Sequence, residues 1–240
     1  MRATDAPQTR IRNLEFGNGG ELAEALAGAV AGALDAAITE RGAATLAVSG
    51  GNTPKAFFAA LSQRPVDWGK VTVTLVDERM VGPAHERSNH RLASLFLLQN
   101  KAADARFVPL FSEPGDAAAV AEKASNTIDA LALPFDVVIL GMGTDGHTAS
   151  FFPGGTTLAA VTDPGCSQSV MSIEAPGAGE PRLTLTLPRI VEAGLVVLHI
   201  EGEAKKAVLA KALETGPEAE MPVRAVLHNA ATPVEIYWAP

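Results

Sequence analysis

The segment FDVVILGMGTDGHTASFFP, residues 135–153, places an apolar run directly before a polar, glycine-rich loop. Five of the six residues in 135–140 are apolar, which predicts a buried strand. The three glycines that follow, Gly141, Gly143 and Gly146, have the G-x-G-x-x-G spacing of a tight turn after a strand. A strand that ends in such a loop is typical of an α/β protein, in which residues beyond the strand ends bind ligands.

Apolar strands and helical segments alternate on both sides of this segment. The patterning predicts further strands at 44–49, 71–76, 105–110, 194–200 and 234–238, and helices at 21–41, 55–63, 89–99, 116–131 and 202–214. Residues 169–174 and 182–187 are predicted to be extended. This alternation predicts an α/β fold with a Rossmann-like, mostly parallel sheet and helices on both faces, in a single domain that covers residues 1–240.

The composition argues against several classes of partner. The chain has 240 residues, a net charge of -8 and no basic run, so we expect it to bind neither nucleic acid nor an anionic membrane surface. Cys166 is the single cysteine, which favours a reducing compartment. Residues 1–10 are polar, and the apolar segments are short or interrupted by charge, so we expect no signal peptide, no membrane span and a cytoplasmic location.

Three polar loops follow predicted strands, at residues 49–53, 77–89 and 141–147. Because ligands of parallel sheets bind beyond the carboxyl ends of the strands, we expect these loops to converge on one site. The first loop, within SGGNTP, has two glycines and precedes a helix, which suits a phosphate group as well as a simple strand-to-helix turn. It is not a Walker loop, because no G-K-[ST] sequence is present.

Three other patterns are weaker. Ser49 lies in a sequence that lacks the first glycine of the G-x-S-x-G nucleophile elbow, so a serine nucleophile is disfavoured. His85 and His90 are five residues apart, which separates them by about 140° around a helix and argues against a shared metal ion. Arg79, just past a strand end, suits a phosphate contact, although a solvated ion pair is the commoner role for such a residue.

The loop at 141–147 has two competing interpretations. Its glycine spacing matches a dinucleotide-binding turn, but it comes past the middle of the chain and FFPGG soon interrupts any following helix. The alternative is that His147 is a base exposed to a substrate and is supported by Asp145. A purely structural histidine is the usual reading of a lone His, and the neighbouring aspartate weakens it here.

Taken together, SGGNTP, VDERMV, Ser88-Asn89, LGMGTDGHTASFFP and RLTLTLP resemble the 6-phosphogluconolactonase family, in that family's order across nearly the whole chain. The wider superfamily contains glucosamine-6-phosphate deaminases. Those are similar in the loop that holds His147, but look like D-E-Y where this chain has Asp77-Glu78-Arg79, and they have a glutamate after the histidine that is missing here.

The resemblance implies hydrolysis of 6-phospho-D-glucono-1,5-lactone to 6-phosphogluconate, the second step of the oxidative pentose phosphate pathway, without cofactor or metal. It implies that His147 is the general base, with Asp145 as its support. It also implies substrate contacts from Ser49, Gly50, Gly51, Asn52, Thr53, Asp77, Arg79, Asn89, Gly143 and Arg182. Loop amides near Gly51 or Gly143 are candidates for stabilising the oxyanion. The implied partner is a phosphosugar lactone, for a monomer or small homo-oligomer.

The chain departs from the family pattern at one position. Many members look as though they have a lysine a few residues before the arginine that corresponds to Arg182, whereas this chain has none in 175–181. Either Arg182 acts alone or the phosphate is held less tightly.

Three alternatives to the lactonase remain: an amino-sugar phosphate deaminase, a non-catalytic sugar-phosphate sensor and an NAD-dependent enzyme. His85, His90, His199 and His228 are predicted to be structural or surface residues.

Overall fold

The computed structural model describes residues 11–240 and contains a seven-stranded sheet. The strands, in chain order, are β1 Ile11–Glu15, β2 Ala44–Val48, β3 Val71–Leu75, β4 Asp77–Arg79, β5 Arg106–Phe107, β6 Val137–Leu140, β7 Val170–Ile173, β8 Arg182–Leu185, β9 Leu195–Glu201 and β10 Val234–Ala239. The helices are α1 Gly19–Arg41, α2 Lys55–Ser62, α3 Asn89–Phe96, α4 Ala117–Asp129, α5 Leu158–Val161, α6 Leu187–Val191, α7 Glu203–Leu213 and α8 Val223–Asn229. Residues 1–10, where the sequence predicts no signal peptide, lie outside the described residues.

The seven-stranded sheet has the order β1-β10-β9-β6-β2-β3-β5, and every neighbouring pair in it is parallel. All residues of β2 and β6 are buried, although successive side chains of a strand point to opposite faces. Both faces of the sheet centre are therefore covered, as in other parallel sheets. The predicted single-domain α/β fold with a mostly parallel sheet is confirmed.

The chain order of the strands reverses between β2 and β6. From β2 the chain proceeds outward to β3 and β5, and it then returns to β6 on the other side of β2 and proceeds to β9 and β10. Such a reversal opens a crevice beyond the carboxyl ends of the two strands. The loops 49–53 and 141–147 leave the sheet at this crevice.

A second sheet of three antiparallel strands, in the order β4-β8-β7, was not predicted as a sheet. The sequence predicts a loop over 77–89, and that prediction is wrong at its start, because Asp77–Arg79 pairs with Arg182–Thr184. The predicted extended segments at 169–174 and 182–187 supply β7 and β8. A strand of three charged residues has no apolar alternation, so only its tertiary pairing reveals it.

Helix α1 belongs to the hydrophobic core. Asn18 caps its first turn by accepting a hydrogen bond from the Glu21 amide at 2.9 Å, and Gly42 ends it with a φ of 79°. By length and composition the helix could span a membrane, with a mean hydropathy of 1.4 over its most apolar 18 residues, and Glu24 and Asp35 interrupt that apolar run. Its Leu22, Leu26 and Leu34 side chains are fully buried within the protein, as in the core helix of a folded domain.

Short elements account for the remaining differences. The patterning did not predict β1, an edge strand with only two apolar residues, or α8, whose seven residues follow Pro222. The strand predicted at 105–110 shrinks to the two residues of β5. Elements of two to seven residues are too short to show a clear period in the sequence.

Candidate active site

A cavity of about 280 Å³ opens at the crevice between β2 and β6. The three loops predicted to converge all contribute to its wall. Every substrate-contacting residue predicted from the sequence lines it, namely Ser49, Gly50, Gly51, Asn52, Thr53, Asp77, Arg79, Asn89, Gly143 and Arg182, together with His147. Asp145 contacts the site through His147. The structure thus brings these residues together.

His147 and Asp145 form a hydrogen-bonded pair at one end of the cavity. The His147 Nδ1 atom lies 2.6 Å from Asp145 Oδ1, and the same oxygen accepts the His147 amide at 3.2 Å. Because a carboxylate only accepts, Nδ1 carries the proton and Nε2 keeps its lone pair. Burial alone would raise the pKa of Asp145, but the charge of His147 and the hydrogen bonds to Asp145 outweigh it and lower that pKa below its ordinary 3.8. Asp145 is therefore an anion at neutral pH.

The glycines of this loop make room for the pair. A Cβ atom at Gly143 would lie 2.2 Å from His147 Cε1 and Nδ1 and 2.6 Å from Asp145 Oδ1, so a side chain here is sterically excluded. Gly146 has a φ of 80°, a conformation that favours glycine. The Gly143 amide donates to the His147 carbonyl at 2.9 Å, so this amide is already occupied and a neighbouring group must stabilise any oxyanion. The ring of Phe152 packs 4.3 Å from the imidazole, centroid to centroid.

The loop after β2 approaches Asn89 from the other side. A Cβ atom at Gly50 would lie 1.8 Å from Asn89 Oδ1, so glycine is required for this approach. Asn89 is buried and donates to the Asp77 carbonyl at 2.9 Å. Among the described residues, no amide from Gly50 to Thr53 donates to a protein acceptor, which leaves these N–H groups free for an anion at the start of α2.

Two arginines enter the cavity from the second sheet. Arg79 in β4 and Arg182 in β8 are directly paired across the antiparallel ladder. Arg182 is buried, donates to the Ala178 carbonyl at 2.6 Å and lies 3.7 Å from Asp77. Arg79 donates to the Arg87 carbonyl and makes no ion pair with a described carboxylate. The predicted alternative of a solvated ion pair for Arg79 therefore has no support among residues 11–240.

Glu78 fixes the segment between Arg79 and Asn89, a role that the sequence reasoning missed. Its carboxylate accepts from the amides of Arg79, Asn89 and His90 at 2.7, 2.8 and 2.7 Å, and from the Ser88 hydroxyl at 3.0 Å. Burial raises the pKa of Glu78, against the lowering effect of these hydrogen bonds. One buried carboxylate thus ties β4 to the first turn of α3 and sets the positions of two residues that line the cavity.

His199 and Lys205 also line the cavity, and the sequence reasoning did not place them there. His199, which the sequence predicts to be a structural or surface residue, is buried in the cavity wall. Lys205 lies in the first turn of α7, which follows β9, the strand beside β6. The sequence does contain a signal for Lys205. It lies in the first turn of a predicted helix that follows a predicted strand, so it is also at the carboxyl edge of the sheet.

The other candidates from the sequence lie apart from this chemistry. His85 accepts the Arg87 amide at 3.1 Å, His90 packs on Phe107, and His228 pairs with Glu218 at 3.2 Å. No group of three or more metal-binding side chains occurs among the residues described. Ser49 has no hydrogen bond to a histidine within the same residues, so the pairing that activates a serine nucleophile is missing from the described part of the chain.

Known proteins match this chain closely in sequence and structure. The family model described as glucosamine-6-phosphate isomerases/6-phosphogluconolactonase matches residues 18–238. The 6-phosphogluconolactonase of Rhizobium meliloti (strain 1021) is 60% identical over 225 residues, which cover 94% of this chain and 97% of the relative. The relative of the same name in Mesorhizobium japonicum is 53% identical over 220 residues, or 92% of each chain.

A solved structure agrees with these sequence matches. The crystal structure of a 6-phosphogluconolactonase from Shewanella baltica superimposes with a TM-score of 0.93 at 37% identity, covering 96% of this chain and 98% of the other. The residues that the family model matches include the crevice and all the loops described above, whereas β1 precedes them. The chain therefore belongs to the family of glucosamine-6-phosphate isomerases and 6-phosphogluconolactonases.

Proposed function

We propose that this protein hydrolyses 6-phospho-D-glucono-1,5-lactone to 6-phosphogluconate, with His147 as the general base. The observation that carries the proposal is one cavity that holds an aspartate-supported imidazole with a free Nε2 together with three cationic side chains, those of Arg79, Arg182 and Lys205. A phosphosugar lactone needs both parts, an anion site for the phosphate and a base for water. The lactonase names of the close relatives favour this substrate within the family.

The phosphate end combines cations with backbone amides. The free N–H groups from Gly50 to Thr53 suit phosphate oxygens, and Arg79 and Arg182 can form paired hydrogen bonds with them. Lys205 supplies the lysine that the chain lacks at 175–181, because it reaches the same cavity from the first turn of α7. The resemblance left two alternatives: either Arg182 binds the phosphate without the family lysine, or the phosphate is held less tightly. With Lys205 as a third cation in the cavity, neither alternative is needed.

The base end performs the hydrolysis. His147 Nε2 takes a proton from water as the water oxygen attacks C1 of the lactone, which gives a tetrahedral oxyanion and an imidazolium. Asp145 stabilises that imidazolium through the Nδ1–H hydrogen bond. When the oxyanion collapses, the bond from C1 to the ring oxygen breaks, and the imidazolium returns its proton to that oxygen. Water is consumed and the base is regenerated.

Asp77 is a weaker candidate for the base than His147. Its Oδ2 atom accepts the Ser150 hydroxyl at 2.6 Å and lies 3.7 Å from Arg182, and its Oδ1 atom lies 3.3 Å from the Asn89 amide nitrogen. Both oxygens are thus engaged, and the group is buried. We infer that Asp77 positions Arg182 and Asn89, while His147 does the proton transfer.

The test is turnover of freshly prepared lactone, coupled to 6-phosphogluconate dehydrogenase and corrected for spontaneous hydrolysis. We expect a rate well above background, and a loss of about 10²- to 10⁴-fold in kcat for His147→Asn with product affinity retained. His228→Asn is the matched control, because His228 also pairs with a carboxylate but lies outside the cavity. A wild-type rate equal to background would overturn the proposal. Ammonia release from glucosamine 6-phosphate would then identify a deaminase, and phosphosugar binding without turnover would identify a sensor.

A cytoplasmic location and a monomer or small homo-oligomer remain predictions.

A further inference from the structure

His199 and Glu201 lie two residues apart in β9 and so point to the same face of the strand. His199 Nε2 is 3.1 Å from Glu201 Oε1. His199 is 2% exposed and its ring meets Phe57 edge-on, with 6.1 Å between ring centroids. An imidazole held this firmly can orient the carboxylate that it contacts.

The two ring nitrogens of His199 differ in their partners. Its Nδ1 atom is buried and has no hydrogen-bond partner in the described part of the chain. Its Nε2 atom contacts Glu201, and because a carboxylate only accepts, the Nε2–H group is the donor in that contact. The hydrogen bond from His199 is the main cause that lowers the pKa of Glu201, so this carboxylate is an anion at neutral pH.

Lys205 is the cation that faces this charge. It lines the cavity and has no carboxylate within 4.0 Å among residues 11–240, while Glu201 interacts with it electrostatically over a longer distance. The adjacent Lys206 is engaged elsewhere, since its Nζ atom lies 3.2 Å from Glu15 and 3.6 Å from the centre of the Trp238 ring. The carboxylate is confined on its other side, because a Cβ atom at Gly19 would lie 3.1 Å from Glu201 Oε2.

We propose that His199 and Glu201 are positioning residues for the phosphate end of the site, in which His199 orients the Glu201 carboxylate through its Nε2–H group and that carboxylate holds the Lys205 ammonium toward the cavity. This inference rests on the proposed phosphosugar substrate. It assigns a function to a buried histidine in the wall of the cavity. It also explains why the strand ends in a histidine and a glutamate on one face, next to a glycine that starts the helix bearing Lys205.

The test measures His199→Leu, His199→Gln and Glu201→Gln, each alone and each combined with Lys205→Met. Lys205→Met by itself is the reference for the combined variants. We expect His199→Leu and Glu201→Gln each to raise KM by about 3- to 10-fold with kcat changed by less than about twofold. His199→Gln keeps an N–H donor and should restore most of the affinity. In the Lys205→Met background neither change should have a further effect, because the group that they position is gone. Lys206→Met is the matched control and should leave KM unchanged.

Calorimetric binding of inorganic phosphate gives a second measurement that does not depend on turnover. If the wild-type protein fails to hydrolyse the lactone, the proposed function fails, but the ratio of phosphate Kd values between variants still decides the positioning role. Additive effects in the Lys205→Met background, or a fall in kcat without a rise in KM, would overturn the inference. Glu201→Gln keeps the test open if His199→Leu does not fold, since Glu201 is partly exposed at the strand end.

Discussion

Arg79 and Arg182 lie directly opposite each other in the antiparallel ladder between β4 and β8, so two guanidinium side chains share one face of the sheet at the cavity. Like charges in this relation destabilise a sheet when nothing neutralises them. Asp77 is close to Arg182 only, at 3.7 Å, and Arg79 has no carboxylate partner among the described residues. The pair therefore favours an anionic ligand between its members, and a phosphate is an anion with the right geometry.

Replacing Arg79 by alanine tests this reading of the pair. Arg79 is less buried than Arg182, so its loss should affect binding more than folding. We expect KM to rise by about 10- to 100-fold, the value of a hydrogen bond to a charged group, with a smaller effect on kcat. Steady-state kinetics on the lactone measures both. Arg12→Ala is the control, because Arg12 is an exposed arginine paired with Glu235. An unchanged KM for Arg79→Ala would show that Arg79 does not contact the phosphate.

Asp145→Asn tests the support of the base. The amide can still accept from His147 Nδ1–H but carries no charge to stabilise the imidazolium, so we expect kcat to fall by about 10- to 100-fold. The pH dependence of stability has a definite sign. Because the folded pKa of Asp145 lies below 3.8, its contribution is present above that pH and is lost as the pH falls through the folded value.

Thermal unfolding of the wild-type protein and of Asp145→Asn measures this contribution. The difference in Tm between the two proteins should shrink as the pH falls below about 5, which is about one unit above the ordinary pKa of an aspartate. A difference that grows below about pH 5 would contradict the lowered pKa of Asp145. An unchanged kcat for the variant would show that His147 needs no anionic partner.

Glu78→Gln tests how the segment between β4 and α3 is held. Glutamine has an NH₂ group in place of one carboxylate oxygen. If that group replaces Oε2, it faces the His90 amide and the Ser88 hydroxyl, which now donate to this oxygen, and it cannot accept from them. We expect a loss of about 1–3 kcal/mol in the free energy of unfolding for each donor left without an acceptor, and a raised KM as Arg79 and Asn89 shift. Denaturant unfolding and kinetics on one preparation give both numbers. Glu86→Gln in the same segment is exposed and should change neither; equal effects of the two changes would argue against the network.

The parts of the site that the sequence predicts are those set by local chain geometry. Gly143, His147 and the loop at 49–53 follow strands whose apolar runs are easy to see, and glycines mark where the backbone must turn or come close. Their convergence follows from the parallel order of strands alone. What could not be predicted depends on tertiary pairing. Asp77–Arg79 is a strand only because β8 lies beside it, and His199 reaches the cavity only because β9 is the neighbour of β6.

Gly50→Ala tests the closest approach in the site. The added Cβ atom would lie 1.8 Å from Asn89 Oδ1, and Asn89 cannot easily yield because it is buried and donates to the Asp77 carbonyl. We expect a loss of about 1–3 kcal/mol in the free energy of unfolding and a large fall in kcat/KM. The cause is that the loop whose backbone amides bind the phosphate is pushed away from β4. Gly28→Ala is the matched control. That glycine lies within α1 with open space around its Cβ position, so alanine should stabilise the protein by about 1 kcal/mol and leave kinetics unchanged.

A second variant separates the clash from other effects of a methyl group at position 50. In Gly50→Ala with Asn89→Ala, the side chain that the new Cβ meets is shortened, so Tm should recover toward that of Asn89→Ala alone. Activity should stay low, because an alanine at position 89 cannot donate the hydrogen bond that Asn89 gives to the Asp77 carbonyl. If Tm does not recover in the double variant, the strain lies in the loop backbone, and the contact with Asn89 is not what requires glycine at this position.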